Sequence, residues 1–282
     1  MPDFNDKRLA RPKGAATAFQ VTAGVAAVRE TPTPGGRLAT QALHGEVVDL
    51  FREEGEFGLV QCRRDRYVGW VSLDALSAPV LPVTHKVIAL RTYCFSEPDL
   101  KSAPRFLLSL GARVAATGLT EGVWIEAGRA GWVHRRHLAG LADLEADPVA
   151  VAERFIGTPY LWGGRESLGL DCSGLVQQAF DACGVLLPRD SDMQGAWAGE
   201  PVPGWQAPGA LKRGDLVCWA GHVGLLTAPG TLLHANAYHL QVECEPLEDA
   251  IRRIRPAAGE VSGVRRVALT RQDSPPDWLA AG

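Results

Sequence analysis

The sequence predicts an α+β protein in which two small β-barrels precede a half built from helices followed by an antiparallel sheet. Three observations support this architecture. The tripeptide Gly-Trp-Val occurs in YVGWVSLDAL at residues 67–76 and again 62 positions later in RAGWVHRRHL at residues 129–138. Short alternating segments separated by turn residues surround both copies, as expected for strands. Beyond residue 147 the apolar residues recur at helical spacing, and strands punctuated by glycine and proline follow.

The internal repeat predicts two barrels of about 60 residues each, with boundaries at residues 18–78 and 84–141. The first copy contains LATQALHGE at residues 38–46 ahead of its Gly-Trp-Val segment, and it resembles a bacterial SH3 domain. The second copy follows the same pattern more loosely. Trp70 and Trp132 are expected to fill the two barrel cores rather than to stack on a ligand.

The composition is that of an ordinary globular protein, with 46% of the 282 residues apolar and 22% charged. Lys and Arg number 29 against 32 Asp and Glu, without a long run of one sign, so no nucleic acid and no anionic membrane is expected as a partner. The first 13 residues mix charged and scattered apolar side chains, and no apolar core of signal-peptide type follows. This pattern predicts a cytoplasmic protein without a membrane span, and it leaves the oligomeric state open.

Residues 147–268 form the predicted third domain. Asp147 is followed by proline, a combination that predicts an N-cap and a short helix over residues 149–156. A second helix is predicted from Cys172 to Cys183 because apolar residues recur there at helical spacing. The predicted strands that follow lie at residues 215–219, 222–227 and 231–235.

Cys172 differs in its surroundings from the other five cysteines. None of the six forms a C-x-x-C pair, so the spacing indicates neither a disulfide framework nor a zinc ribbon, and free thiols are expected. Cys172 lies in DCSG at the predicted first turn of a helix. There the helix dipole and a protonated histidine lower a thiol pKa from about 8.5 to roughly 3.5–7.5, and the backbone N–H groups are suited to bind an oxyanion. These features predict a thiolate nucleophile.

Two histidines are candidates for the proton transfers that a cysteine nucleophile needs. His222, in GHVG, begins a predicted strand 50 residues after Cys172, and His234 lies on the next predicted strand. A chain reversal at residues 228–230 would place the two histidines almost opposite one another, so that the second orients the first. Cys218 and the two histidines lack the paired spacing of a metal site, and we expect neither a metal nor a cofactor.

These pieces together resemble the NlpC-type (NlpC/p60) family of cell-wall cysteine peptidases, whose catalytic domain is papain-like. The resemblance implies that Cys172 is the nucleophile, His222 the general base and acid, and His234 the third polar residue. The segments that carry it, in the family's order, are GTPYLWGG at 157–164, DCSG at 171–174, LPRDSDMQ at 187–194, RGDLV at 213–217, GHVG at 221–224 and HA at 234–235.

The resemblance also implies a substrate cleft. Tyr160 matches the family's tyrosine that reaches toward the nucleophile or the substrate, and Asp171, Ser173 and Ser191 match positions that line the cleft. A buried aromatic role for the tyrosine, and capping or turn roles for the other three, remain open alternatives. Two charged residues nearby are assigned either to the cleft or to the solvated surface: Arg189 and Asp192.

The implied reaction is hydrolysis of the bond between γ-linked D-Glu and a diamino acid in murein-derived stem peptides. Small murein-derived peptides are therefore the expected partners, and the expected role is peptide recycling in the cytoplasm. Two alternatives remain open. A related thiol amidase or acyltransferase would use the same cysteine and histidine on a different carbonyl, and a wall-binding SH3-like protein would use its papain-like domain as a scaffold.

Overall fold

The structure is a computed structural model that describes residues 4–270 and 274–280. It divides into two compact units, one formed by residues 5–143 and the other by Phe4 with the described residues from Leu144 onward. The predicted α+β class is confirmed, since helices and antiparallel sheets both occur. Every helix within the described ranges is too short or too polar to span a lipid bilayer.

The first predicted barrel is a seven-stranded sheet in which all neighbouring strands are antiparallel. Its strands are β1 (Thr17–Val21), β2 (Val25–Arg29), β3 (Leu38–Leu43), β4 (Val47–Glu54), β5 (Phe57–Cys62), β6 (Val68–Ser72) and β7 (Leu76–Ser77). Their order in the sheet is β3-β2-β6-β5-β4-β1-β7. Alternate strand residues such as Val21, Val28 and Val60 are buried and form the core.

The second predicted barrel consists of two smaller antiparallel sheets, ordered β10-β9-β14-β13-β12 and β11-β8-β15 once its strands are numbered along the chain. The strands are β8 (His85–Val87), β9 (Arg91–Phe95), β10 (Pro104–Ser109), β11 (Arg113–Val114), β12 (Thr120–Glu121), β13 (Trp124–Glu126), β14 (Trp132–His134) and β15 (Leu138–Gly140). Cys94, Leu108 and Val133 belong to the core that these strands enclose.

The residue of each Gly-Trp-Val segment that enters the core is the valine, not the tryptophan. Val71 and Val133 are fully buried members of the two cores. Trp70 is buried, but beneath the guanidinium of Arg52, which lies 5.1 Å from its ring centroid. Trp132 is only half-buried, so the expectation that it fills a core was wrong. Successive strand residues point to opposite faces, and the valine takes the inward one.

The C-terminal unit packs its helices against a six-stranded, entirely antiparallel sheet. Its elements are α1 (Pro148–Glu153), β16 (Arg165–Glu166), β17 (Gly169–Leu170), α2 (Cys172–Ala182), α3 (Ser191–Trp197), β18 (Glu200–Pro201), β19 (Leu216–Trp219), β20 (His222–Ala228), β21 (Thr231–Asn236), β22 (Gln241–Pro246), α4 (Leu247–Ala258), β23 (Gly263–Arg266) and α5 (Asp277–Ala280). The sheet order is β18-β23-β19-β20-β21-β22. Helix α2 lies against β20 and β21, which brings its first turn to the strands that carry both histidines.

The predicted helices of this unit are present with small differences in length. The Asp147 carboxylate accepts a hydrogen bond from the Val149 amide at 2.9 Å, so the predicted N-cap is confirmed. Helix α1 ends at Glu153 rather than at residue 156, because the next amides bond to carbonyls three residues back and tighten the chain into turns. Helix α2 ends one residue before the predicted Cys183.

Candidate active site

The nucleophile candidate occupies the first position of α2. Asp171 is the N-cap residue, and its Oδ1 accepts a hydrogen bond from the Gly174 amide at 2.8 Å. Gly174 has no room for a side chain, because the carbonyl oxygen of Gly164 packs directly against it. The loop before the helix is thereby held close to the helix start. Cys172 is buried there, with 6% of its surface exposed.

A tight hairpin brings the start of β20, the strand that begins with His222, to this thiol. Ala220 and Gly221 form the two-residue turn between β19 and β20, and the positive φ of 74° at Gly221 is a conformation that such turns require. His222 is consequently the first residue of β20 and pairs with Trp219. The backbone of the following residue, Val223, hydrogen-bonds to Cys172. The start of β20 and the first turn of α2 therefore meet at the sulfur.

Behind His222 lies a chain of three hydrogen-bonded side chains, the imidazole chain, made of His222, His234 and Glu245. Nε2 of His222 lies 2.8 Å from Nδ1 of His234. Nε2 of His234, which is fully buried, donates to Oε1 of Glu245 at 2.7 Å. Arg253 of α4 forms an ion pair with the same carboxylate. Glu245 and Arg253 were not predicted from the sequence, because the pairing of β22 with β21 brings the first to His234 and the packing of α4 brings the second to Glu245.

The two histidines are diagonal neighbours on the sheet rather than opposite one another. The register pairs Leu225 with Leu233, and continuing it by one residue places Gly224 opposite His234. His222 lies two residues further along the same face, at a diagonal separation of about 7–8 Å that an imidazole side chain bridges. The predicted contact between the histidines is present, but the predicted register was wrong.

Of the four predicted cleft residues, the structure places Tyr160, Asp171 and Ser173 close to the nucleophile. Tyr160 is half-buried, and burial together with the charges of Cys172 and Asp171 raises the pKa of its hydroxyl. Ser173 is buried, and its hydroxyl donates to Asp171 at 3.3 Å. Ser191 is the buried first residue of α3. Contacts of these four residues with a substrate remain predictions, and for Asp171 the capping role is present.

Arg189 lies in the interior, so of the two alternatives left open for it, cleft or solvated surface, the surface is excluded. Its guanidinium donates to both carboxylate oxygens of Asp171, at 2.9 and 2.8 Å, and to the Ser173 hydroxyl at 2.9 Å. A fourth bond reaches the carbonyl of Gly164 at 3.2 Å. Burial by itself would lower the pKa of Arg189, but the Asp171 carboxylate outweighs it and raises this pKa. Asp192, in contrast, is exposed.

The electrostatics around the thiol differ from the sequence-based expectation. Burial, assisted by the Asp171 charge, raises the pKa of Cys172 to about 12, although the backbone of Val223 opposes the shift. Burial, with His234 and Arg253, lowers the pKa of His222 to about 3. Both groups are neutral near pH 7. The expected lowering of the thiol pKa by the helix dipole also required a protonated histidine. Desolvation of the buried thiol outweighs the effect of the dipole.

A neutral resting thiol predicts a distinctive pH profile for alkylation. We expect iodoacetamide to modify Cys172 at a rate that rises about tenfold per pH unit up to about pH 9 without a plateau, because the thiolate fraction grows continuously below the pKa. Mass spectrometry of the peptide that contains Cys172 measures this rate. The urea-unfolded protein is the control, since its thiol should titrate at about 8.5. A plateau in the folded protein between about pH 5 and pH 8 would instead indicate a thiolate–imidazolium pair.

Three side chains near the imidazole chain have the chemistry of metal ligands. One ligand atom from each of His234, His239 and Glu245 lies within 4.8 Å of the others. Nε2 of His234 and Oε1 of Glu245 are already hydrogen-bonded to each other. His239 hydrogen-bonds to Asn236 through its Nδ1 at 3.1 Å. Two of the three candidate ligands are therefore bonded to each other, and the third is bonded to Asn236 outside the cluster.

Comparison with known proteins identifies two regions of the chain. Residues 157–255 match the NlpC/P60 family, and residues 28–76 match the bacterial dipeptidyl-peptidase Sh3 domain. The chain is 36% identical over 113 residues to a gamma-D-glutamyl-L-lysine dipeptidyl-peptidase of Bacillus subtilis, covering 37% of this chain and 36% of that protein. It is also 36% identical over 98 residues to a probable endopeptidase of Mycobacterium tuberculosis, covering 34% of this chain and 24% of that protein. The match thus spans well under half the length of either relative.

Among solved structures, an NlpC/P60 family protein from Bacillus cereus has the same fold along most of the chain. Its TM-score is 0.74 at 20% sequence identity, and the match covers 89% of this chain and 99% of that one. At 20% sequence identity this match shows a shared fold.

Proposed function

Because the chain contains an NlpC/P60 domain preceded by a bacterial SH3 domain, we propose that it is a cysteine peptidase of murein-derived peptides. The observation that carries the proposal is the meeting of a buried thiol, Cys172, with the start of the strand that bears His222, backed by the imidazole chain. A scaffold domain has no need of a thiol and two linked imidazoles at one point. This juxtaposition favours catalysis over the wall-binding alternative.

The proposed reaction follows from the neutral state of both groups. As the sulfur of Cys172 attacks the scissile carbonyl carbon, its proton passes to His222, so that charge develops only once the attack has begun. In this proposal the amides at the start of α2 donate to the oxyanion. His222 then gives the proton to the leaving amine, and the C–N bond breaks to leave a thioester. Water, deprotonated by His222, hydrolyses the thioester and restores the thiol.

The proposed scissile bond joins γ-linked D-Glu to a diamino acid. The resemblance of the motifs to NlpC-type peptidases supports this choice, as does similarity to a relative named for γ-D-glutamyl-L-lysine peptides. Tyr160, Asp171, Ser173 and Ser191 are the proposed substrate-side residues, since all four lie around the first turns of α2 and α3.

Product analysis tests the bond. We expect the protein to convert L-Ala-γ-D-Glu-meso-diaminopimelate into L-Ala-D-Glu and free diaminopimelate, which mass spectrometry identifies directly. The Cys172→Ala protein serves as the matched control. Cleavage at another carbonyl would assign the thiol amidase alternative, and transfer of the acyl group to an added amine would assign the acyltransferase. The absence of turnover of either peptide or intact murein would contradict the peptidase proposal.

The proposed role in recycling requires a preference for small free peptides. We expect the free tripeptide to be cut at least about tenfold faster than the same peptide N-acetylated or attached to its sugar, because a site that pairs the free ammonium loses that interaction when the amine is blocked. Initial rates at equal, subsaturating concentrations provide the comparison. Equal rates on free and blocked peptides would exclude the recycling role and leave the peptidase proposal standing.

A further inference from the structure

We infer that Glu245 is a positioning residue that fixes which nitrogen carries the proton on both His234 and His222, and that it thereby makes Nδ1 of His222 the base. The role of Nδ1 as a base rests on the proposed function. The positions of the protons on the two histidines do not depend on any substrate. It is carried by the two hydrogen bonds of the imidazole chain and by the ion pair that Arg253 adds behind it.

The direction of the first hydrogen bond is set by the chemistry of its acceptor. An ionised carboxylate only accepts hydrogen bonds, so the nitrogen of His234 that faces Glu245 must carry the proton. That nitrogen is Nε2, at 2.7 Å from Oε1 of Glu245. Since His234 is fully buried and its pKa is lowered, chiefly by burial, the ring is neutral and has a single proton to place. Nδ1 of His234 is therefore left as an acceptor.

The second hydrogen bond passes this constraint to the catalytic imidazole. Nδ1 of His234 lies 2.8 Å from Nε2 of His222, and a bond between the two needs one donor. With His234 as the acceptor, Nε2 of His222 must donate. The lone pair of the neutral His222 ring is then on Nδ1, the ring nitrogen that the imidazole chain does not use. In the opposite tautomer Nδ1 carries the proton and cannot accept one from the thiol.

Arg253 holds the carboxylate in the required state. It pairs with Glu245 from α4, and its guanidinium also lies 4.4 Å from the centroid of the Tyr238 ring. Burial would raise the pKa of Glu245, but the bonds from His234 and Arg253 outweigh it and lower that pKa, so the carboxylate is ionised at neutral pH. Among the residues that the structure describes, Glu243 of the same strand and His239 of the loop before it are further titratable groups near this carboxylate.

This arrangement matters because both imidazoles are neutral at rest. A protonated histidine donates from both nitrogens and has no tautomer to choose, whereas a neutral one is active as a base only in one of its two forms. A contact with His234 orients the His222 ring but does not by itself decide which of its nitrogens carries the proton. The charge of Glu245 decides this through two successive hydrogen bonds.

Nitrogen-15 NMR of the seven histidines tests the assignment without any substrate. Spectra are recorded on the Cys172→Ala protein after chelator treatment, and the signals are assigned by single histidine substitutions. We expect both His222 and His234 to carry their protons on Nε2. In Glu245→Gln the side-chain amide can donate or accept, so we expect mixed tautomers at both rings. A proton on Nδ1 of His234 in the Cys172→Ala protein that retains Glu245, or unchanged tautomers when Glu245→Gln is added, would overturn the inference.

The second test measures kinetics on the protein that retains Cys172. Glu243→Gln is the matched control for Glu245→Gln. Glu243 lies on the same strand and also carries a charge, but its carboxylate accepts from Gln241 and from the Cys244 amide instead. We expect Glu245→Gln to lower kcat by about 10- to 100-fold at unchanged KM, as for loss of an orienting partner of a catalytic histidine. Glu243→Gln should leave kcat within about twofold.

The two arms separate the failure of this inference from failure of the proposed function. If no peptide is cut, the peptidase proposal falls, yet the NMR spectra still decide the tautomers. If peptides are cut but Glu245→Gln leaves kcat unchanged, the positioning role is overturned while the peptidase stands. A spectral change at His234 on chelation alone would show a metal ion as its partner in place of Glu245 and would also overturn the inference. Should the protein with Glu245→Gln fail to fold, the spectrum of the Cys172→Ala protein with Glu245 intact still shows which nitrogens carry the protons.

Discussion

Replacing Cys172 by alanine or serine is expected to abolish peptide hydrolysis, with a loss of roughly 10⁴-fold or more in kcat. Without the sulfur no thioester forms, and a serine hydroxyl is a far weaker nucleophile beside a neutral imidazole. The thiol is buried at the first turn of α2, so alanine leaves a small cavity and should cost about 1 kcal/mol of stability. Initial rates and a urea unfolding curve measure the two effects separately.

Cys183→Ala is the matched control for this substitution. Cys183 lies at the other end of the same helix and is similarly buried, with 8% of its surface exposed against 6% for Cys172. We expect a comparable loss of stability and a kcat within about twofold of the original. Residual activity of Cys172→Ala near that of Cys183→Ala would mean that another group carries the chemistry.

The candidate catalytic residues could be selected from the sequence because each belongs to a short local pattern. Cys172 follows an N-cap residue at the start of a helix, and His222 follows a glycine that closes a hairpin turn. Such signals depend on neighbours in sequence, which a single chain displays directly. The fold was predictable for a related reason, since the Gly-Trp-Val repeat and the change from strand to helix spacing are both periodic.

Glu245 and Arg189 were not predictable in the same way, because their roles come from long-range packing. Glu245 meets His234 only through the register of β22 against β21 and the approach of Arg253 from α4. Arg189 lies in a polar segment, LPRDSDMQ, whose composition suggests solvent exposure, yet it folds inward onto Asp171. The prediction of a lowered thiol pKa was wrong for the same reason, since desolvation depends on how completely the fold covers Cys172.

The largest expected effect on stability is that of Arg189→Met. This change removes the fully buried cation of an ion pair and leaves the Asp171 carboxylate with fewer donors, at a cost of about 3–5 kcal/mol in the free energy of unfolding. It also frees Ser173 and the loop at Gly164 from their shared partner, so the first turn of α2 should lose its position and kcat should fall. Urea unfolding measures the first effect, and hydrogen exchange at the α2 amides localises it.

Two further variants show whether the buried charge is the cause. Arg213→Met breaks an ion pair of the same 2.8 Å length with Asp147, but both side chains are about 40% exposed, and we expect a loss of only about 0–1 kcal/mol. Adding Asp171→Asn to Arg189→Met removes the stranded carboxylate while an amide oxygen can still cap the helix, so part of the lost stability should return. Two results would show that Arg189 does not stabilise the protein by neutralising the buried Asp171 charge. The first is a double variant that is less stable than Arg189→Met, and the second is an Arg213→Met variant that loses as much stability as Arg189→Met.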